Sequence, residues 1–221
     1  MASSRNSQST DGVLAACAAA LAEQVAPGQH LTLALSGGVD SATLLHLLQR
    51  IAPAAGFQLA AVHVNHGLSE NAENWAEFCA TLCCAAGIPL SVERVVVERN
   101  APDGLEAAAR RARHAAFART SGDFIVLGHH RGDQAETLLF NLLRGTGLAG
   151  SAAMAPRQRR LLRPLLAVSR AEIEAYAREH NLDWIDDESN RDTGFSRNFL
   201  RHEILEPLRR RFPAAEKNLA A

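Results

Sequence analysis

A glycine-bearing turn held between an apolar strand-like run and a helix-like run constrains this chain more than any other feature. Leu31-Thr32-Leu33-Ala34-Leu35 reads as a buried strand and Ala42 to Leu48 as a helix, with Ser36-Gly37-Gly38-Val39-Asp40-Ser41 between them. A glycine-bearing strand-to-helix turn with hydroxyls at both ends leaves few readings open. The same turn suits phosphate. Free N–H groups at the helix start and the helix dipole favour an anion there, and two glycines admit close approach of the backbone. The alternative is an ordinary βα turn capped by Ser36 or Asp40.

Lysine usage limits the kind of phosphate loop. The one lysine, Lys217, stands near the C-terminus. A Walker A loop needs Gly-Lys-Ser/Thr, so this is not one, and a Schiff-base lysine in the body of the fold is excluded. Gly145-Thr146-Gly147-Leu148-Ala149-Gly150 matches G-x-G-x-x-G letter for letter. It follows a helix-like stretch rather than a strand, so it reads as a helix exit and loop, not a dinucleotide fingerprint.

A chain of 221 residues can bury a sizeable core, as one main domain and an extension. The apolar share of 47% against 21% charged marks it as globular. No apolar run is long enough to cross a bilayer, and the polar start, Met1 to Asp11, lacks a signal-peptide core. It is expected to be a loose tail on a cytoplasmic protein. Cys17, Cys79, Cys83 and Cys84 form no C-x-x-C pair, so zinc and thioredoxin-like signatures are missing. Cys79, Cys83 and Cys84 read as buried free thiols on a helix.

Net charge of −1 gives no global nucleic-acid signal. Arginines are nevertheless clustered at Arg110, Arg111 and Arg113; at Arg157, Arg159, Arg160 and Arg163; and at Arg197, Arg201, Arg209, Arg210 and Arg211. Arginine suits bidentate phosphate contacts; solvated helix faces paired with glutamate are the plainer reading.

Strand-like and helix-like runs alternate along the chain. Helices are expected over 12–25, 39–51, 71–86 (closed by Gly87), 103–120, 133–144, 169–180 and 199–211, the last interrupted by Pro207. Strands are expected over 31–35, 58–64, 90–97 and 124–127, with short ones at 160–163 (an edge strand) and 183–185. Ser169 and Glu172 form a capping-box pattern. This alternation predicts an α/β fold, a doubly wound parallel sheet with helices on both faces. Ligands in such sheets bind beyond the carboxyl ends of the strands. Ser36–Ser41, His63–Gly67 and Gly128–Asp133 are therefore expected to meet at one crevice. Asp133 and Glu136 share a helix face; one could hold magnesium beside phosphates and the other receive a cationic amine. The plainer reading is a helix cap at Asp133 and a solvated Glu136. The adjacent His129 and His130 lack further zinc-ligand spacing.

Ser36 to Ser41 resembles the PP-loop of the N-type ATP pyrophosphatases, a group with an adenine nucleotide α-hydrolase-like fold. Further stretches resemble the tRNA(Ile)-lysidine synthetases in order and spacing: His63-Val64-Asn65-His66-Gly67-Leu68, Glu106 to Arg113, His130 to Thr137, Arg144 to Leu148, Arg163-Pro164-Leu165-Leu166, Trp184 to Asn190 and Arg197-Asn198-Phe199-Leu200-Arg201. The likeness runs from about Leu31 to Leu208 and implies a PP-loop domain over 12–187. A helical extension over 188–221 would lead toward tRNA-binding domains absent from this chain.

The resemblance implies ATP-dependent adenylation of the wobble cytidine of tRNA(Ile), with release of pyrophosphate. Attack by the ε-amine of free L-lysine, with release of AMP, would then form lysidine. Ser36, Gly37, Gly38, Val39, Asp40 and Ser41 would cradle the pyrophosphate end of ATP, and His63 would border the adenosine. Asp40, with Asp133, would hold Mg2+. Arg113 and Arg201 would stabilise phosphate charge. Asp133 and Glu136 would orient the lysine, with His129 and His130 on the same wall. Arg197, Arg209 and Arg210 would meet tRNA, and assembly as a homodimer is left open.

Two departures stand out. Gly132 occupies a position where the family usually carries an acid or amide, so Asp133 acts without its neighbour. The chain also ends at Ala221, where many members continue, which implies ATP binding with weak tRNA binding. Other readings are a tRNA thiolase of the same superfamily, a small-molecule synthetase, or a non-catalytic AMP/ATP-binding module.

Overall fold

The computed structural model describes residues 3–146, 154–188, 192–194 and 196–220. Helix α1 (Ser3–Ala22) leads into β1 (His30–Ala34), α2 (Val39–Ala55), β2 (Gln58–Asn65), α3 (Ala72–Ala86), β3 (Leu90–Arg94), α4 (Leu105–Arg119), β4 (Phe124–Val126) and α5 (Arg131–Leu143). Two short strands follow, β5 (Arg157–Gln158) and β6 (Leu161–Leu162), then α6 (Arg170–Glu179). The C-terminal stretch is helical: α7 (Ser196–Phe199), a π-helical turn (Leu200–Leu205), α8 (Glu206–Arg211) and α9 (Ala215–Leu219). Among the described residues, no helix is long and apolar enough to cross a membrane.

The six strands lie in the order β3-β2-β1-β4-β6-β5. All pairings are parallel except the β5/β6 hairpin. The order reverses between β1 and β4, which creates the crevice where α/β sheets bind ligands. Alternation along the strands supplies both layers. Leu31, Leu33, Phe124, Val126 and Leu162 face a core closed by α1, α2, α3 and α6, through Cys17, Leu44, Leu48, Cys79, Cys83, Ile173 and Tyr176. Val62, Ile125 and Leu127 face the other way, onto Phe117 of α4. The expected α/β architecture is thus present, with an antiparallel edge.

Several boundaries differ from those expected. Helix α1 begins at Ser3, within the stretch taken for a loose tail; helix propagation is cooperative, so the alanine-rich run to Ala22 carries polar residues ahead of it. The expected edge strand at 160–163 is β6, which lies inside β5. Residues 183–185 form no strand. Pro207 does not break the last helix: it falls in the first turn of α8, after the π-helical turn, where its missing N–H costs little. Cys84 is exposed, while Cys79 and Cys83 are buried. Gly87 closes α3 in the left-handed conformation, and the Ser169–Glu172 capping box is formed. Gly145, also left-handed, follows the end of α5, and Gly147 to Gly150 lie outside the described residues.

Candidate active site

The turn after β1 is prefolded around one hydroxyl. Ser41 Oγ accepts from the N–H groups of Ser36 (3.2 Å) and Gly37 (3.1 Å) and donates to the Gly38 carbonyl (3.0 Å). Gly38 is the N-cap of α2 and no side chain caps the helix, so the capped-turn alternative is not what forms. The first-turn amides, which have no intrahelical partners, are left for a ligand. Gly37 is required by its φ of +91°; a Cβ there would also lie 2.8 Å from the terminal methyl of Ile185, which can turn aside. Ile185 also donates its N–H to the Gly37 carbonyl (2.9 Å). Gly37→Ala is therefore expected to cost about 1–3 kcal/mol from backbone strain. Urea unfolding checks this, and unchanged stability would count against the packing described.

The three polar strand exits meet in one cavity of about 1060 Å³. Ser36, Gly38, Asp40 and Ser41 line it from β1, His63 to Gly67 from β2, and Gly128, His129, His130 and Asp133 from β4. Trp75, Leu68 and Phe117 add apolar wall, and Trp184 to Glu188 close another side. His63 is buried; its Nδ1–H donates to the Leu35 carbonyl (2.9 Å), and burial lowers its pKa, favouring the neutral ring.

At the start of α5 the two sequence readings of Asp133 coexist. Its Oδ2 accepts from the His130 N–H (2.9 Å), completing a capping box. Its Oδ1 faces Arg201 Nη2 at 3.5 Å. Burial pushes the Asp133 carboxyl up, but His130, His129 and the cap hydrogen bond hold it below the usual carboxylate range. His130 is 4% exposed. Its Nδ1 accepts from the Gly132 N–H (3.0 Å), which places the neutral ring's proton on Nε2, 3.7 Å from Asp133 Oδ2 and 3.9 Å from Asp40 Oδ1. A Cβ on Gly132 would lie 2.8 Å from His130 Cε1, so glycine at 132 leaves room for this ring. Burial pushes His129 down to about 4, and its Nδ1 is buried without a hydrogen bond.

Glu136 is not solvated: it is 1% exposed. Arg201 grips it with Nε (2.6 Å) and Nη2 (3.0 Å), the bidentate geometry that arginine favours. Burial still raises the Glu136 pKa, against the pull of Arg201. The C-terminal helices thus contribute to the site. Glu216 of α9 binds Arg131 (3.4 Å) and Arg209 (2.6 Å), holding the extension onto α5.

The arginine clusters separate by role. Arg163 is 4% exposed and donates to the Ala155 carbonyl (2.8 Å). Arg160 donates to the Thr120 and Gly122 carbonyls (3.0 and 2.6 Å), at the exit of α4. Arg160 is spent on the backbone, whereas Arg163 also donates to Gln158 Oε1 (3.2 Å) and lines the cavity. Arg113 lines the cavity; burial and the nearby Arg110 and Arg197 lower its pKa. Arg197 lies 3.5 Å from Glu106. Arg209 turns into the cavity wall, whereas Arg210 is 77% exposed. Arg170, absent from the expected set, bonds Asp40 Oδ2 at 2.6 Å. The capping box fixes where its helix starts; no sequence signal gives the side chain's partner.

Among the described residues, no group of three or more His, Cys, Asp or Glu could by itself hold a metal. Magnesium commonly needs only one or two carboxylates beside phosphates and water. Asp40 Oδ1 is buried without a hydrogen bond, its pKa raised mainly by burial, and it fits as one such ligand.

An open parallel sheet with a glycine-bearing phosphate turn at the β1/β4 switch and no Walker lysine defines a nucleotide-binding α/β domain. The PP-loop domain profile matches residues 13–208, and the chain belongs to that family. It is 53% identical over 203 residues to a tRNA(Ile)-lysidine synthase of Aromatoleum aromaticum, covering 90% of this chain and 48% of that protein. A tRNA(Ile)-lysidine synthase of Nitrosomonas europaea is 48% identical over 207 residues, with 90% and 45% covered. The chain spans about half the length of these relatives. In fold it is similar to the U34-tRNA thiolase NcsA of Methanococcus maripaludis, with a TM-score of 0.79 at 17% identity over 97% of this chain and 78% of that one. The NH3-dependent NAD synthetase of Campylobacter jejuni gives 0.51 at 17% identity, covering 97% and 91%.

Proposed function

We propose that this chain carries the catalytic site of a tRNA(Ile)-lysidine synthetase, joining lysine to C2 of the wobble cytidine at the expense of ATP. The observation that carries this reading is the meeting, in one cavity, of the phosphate turn with the Asp133–Arg201–Glu136 cluster from distant parts of the chain. Relatives about half identical to it over nine-tenths of its length carry that name.

In this mechanism the first-turn amides of α2 hold the pyrophosphate end of ATP while the cytidine O2 attacks the α-phosphorus. Magnesium, when bound through Asp40 Oδ1, offsets negative charge at the phosphates. Arg113, which also lines the cavity, supports phosphate charge. The lysine amine then attacks C2 and AMP leaves. Asp133, held ionised, orients the ammonium. Glu136, with its raised pKa, is the better proton acceptor of the two; its bond to Arg201 must loosen for that step. Arg197 and the exposed Arg210 offer tRNA contacts from the extension. The thiolase reading fares worse chemically, since the chain has no C-x-x-C pair.

The test is ATP-dependent transfer of one labelled lysine to tRNA(Ile), read by mass, together with ATP–pyrophosphate exchange. Exchange that requires tRNA is expected. Exchange that proceeds equally without tRNA would overturn the reading in favour of a small-molecule synthetase.

A further inference from the structure

Arg170 is the first residue of α6, and the Ser169–Glu172 capping box fixes the start of that helix. Among the described residues it is the arginine ion-paired to the phosphate turn: Nη1 donates to Asp40 Oδ2 at 2.6 Å. Nε donates to Glu174 Oε1 at 3.0 Å, and both Arg170 and Glu174 line the cavity. The Arg170 side chain is 44% exposed and that of Asp40 26%, so the guanidinium sits at the open rim. Nη2 has no hydrogen bond among the described residues.

The turn has no lysine to match incoming phosphate charge. Arg201 is committed to Glu136 and Asp133. Arg113 stands on α4, near Arg110 and Arg197. We infer that Arg170 is a binding residue for the leaving pyrophosphate, paired with Asp40 until the nucleotide arrives. A guanidinium has donors on two edges, so Nη2 and Nη1 can reach phosphate oxygens while Glu174 steadies Nε. As Nη1 turns to phosphate, Asp40 Oδ2 is released beside Oδ1, which has no hydrogen bond. Arg170 thus does for this turn part of what the loop lysine does in a Walker site, but from a separate helix that packs against α2. The inference rests on the ATP-binding reading above.

The test is calorimetric titration of the full chain and of its Arg170→Ala and Arg170→Lys variants with ATP, inorganic pyrophosphate and AMP, alongside thermal melting. Loss of a charge-assisted pair predicts about ten- to a hundredfold weaker ATP and pyrophosphate binding in Arg170→Ala. AMP affinity should hold, and Arg170→Lys should recover part of the loss. Equal weakening toward AMP would assign Arg170 a structural role and overturn the inference, as would unchanged pyrophosphate binding. Failure of the unaltered chain to bind ATP or pyrophosphate would instead remove the ATP-binding reading, and this inference with it.

Discussion

Asp133→Asn is expected to lower lysine transfer to tRNA by roughly a hundred- to ten-thousandfold while ATP binding is retained. The substitution separates the two roles of this side chain. Asparagine still presents an oxygen to the His130 N–H, so the capping box that starts α5 can persist. What it removes is the negative charge facing Arg201 and the cavity. Labelled-lysine transfer and nucleotide titration on the same preparation check both halves. Retained lysidine formation would remove the proposed role of Asp133. Lost ATP binding would show that its contribution is to the architecture of the nucleotide site.

The start of α5 also shows what the sequence can and cannot disclose. The three-residue spacing of Asp133 and Glu136 put both carboxylates on one face, and both line the cavity. Strand and helix periods disclosed the parallel sheet, and with it the convergence of three strand exits, because burial on alternate sides leaves a readable pattern. Pairings across the chain leave none. Nothing local to Glu136 announces that Arg201 takes up both of its oxygens, and nothing local to Arg170 points to Asp40. Arg160 looked like a phosphate contact by composition, yet its donors go to backbone carbonyls. The strand expected at 183–185 failed for a related reason. Its apolar Ile185 is spent on the phosphate turn rather than on a sheet neighbour.

Arg201→Ala is expected to be the most destabilising single change at the site. It leaves a carboxylate of 1% exposure without its bidentate partner. Breaking a buried pair in this way costs about 3–5 kcal/mol, a fall in Tm of roughly 6–20 °C for a chain of this size. Acid should partly rescue the variant. The Glu136 pKa is already raised by burial in the intact protein, and without Arg201 it rises further above its unfolded value. Folding then takes up a proton, so stability in the variant should improve as pH falls toward the carboxylate range. The double variant Arg201→Ala/Glu136→Gln, with no charge to bury, should melt above Arg201→Ala alone. Equal melting of the two, or a Tm for Arg201→Ala unchanged from the parent, would show that the pair contributes little.

The hydrogen bond from Ile185 to the Gly37 carbonyl, with the Ile185 side chain against Gly37, has a consequence for synthesis. During translation the phosphate turn leaves the ribosome long before the segment that buttresses it. Until Trp184 and Ile185 emerge, that turn lacks its roof, and until Arg201 follows, Glu136 lacks its counter-charge. Nucleotide binding in a nascent chain should therefore switch on late, so that a bound nucleotide favours chains that have passed Arg201 over shorter ones.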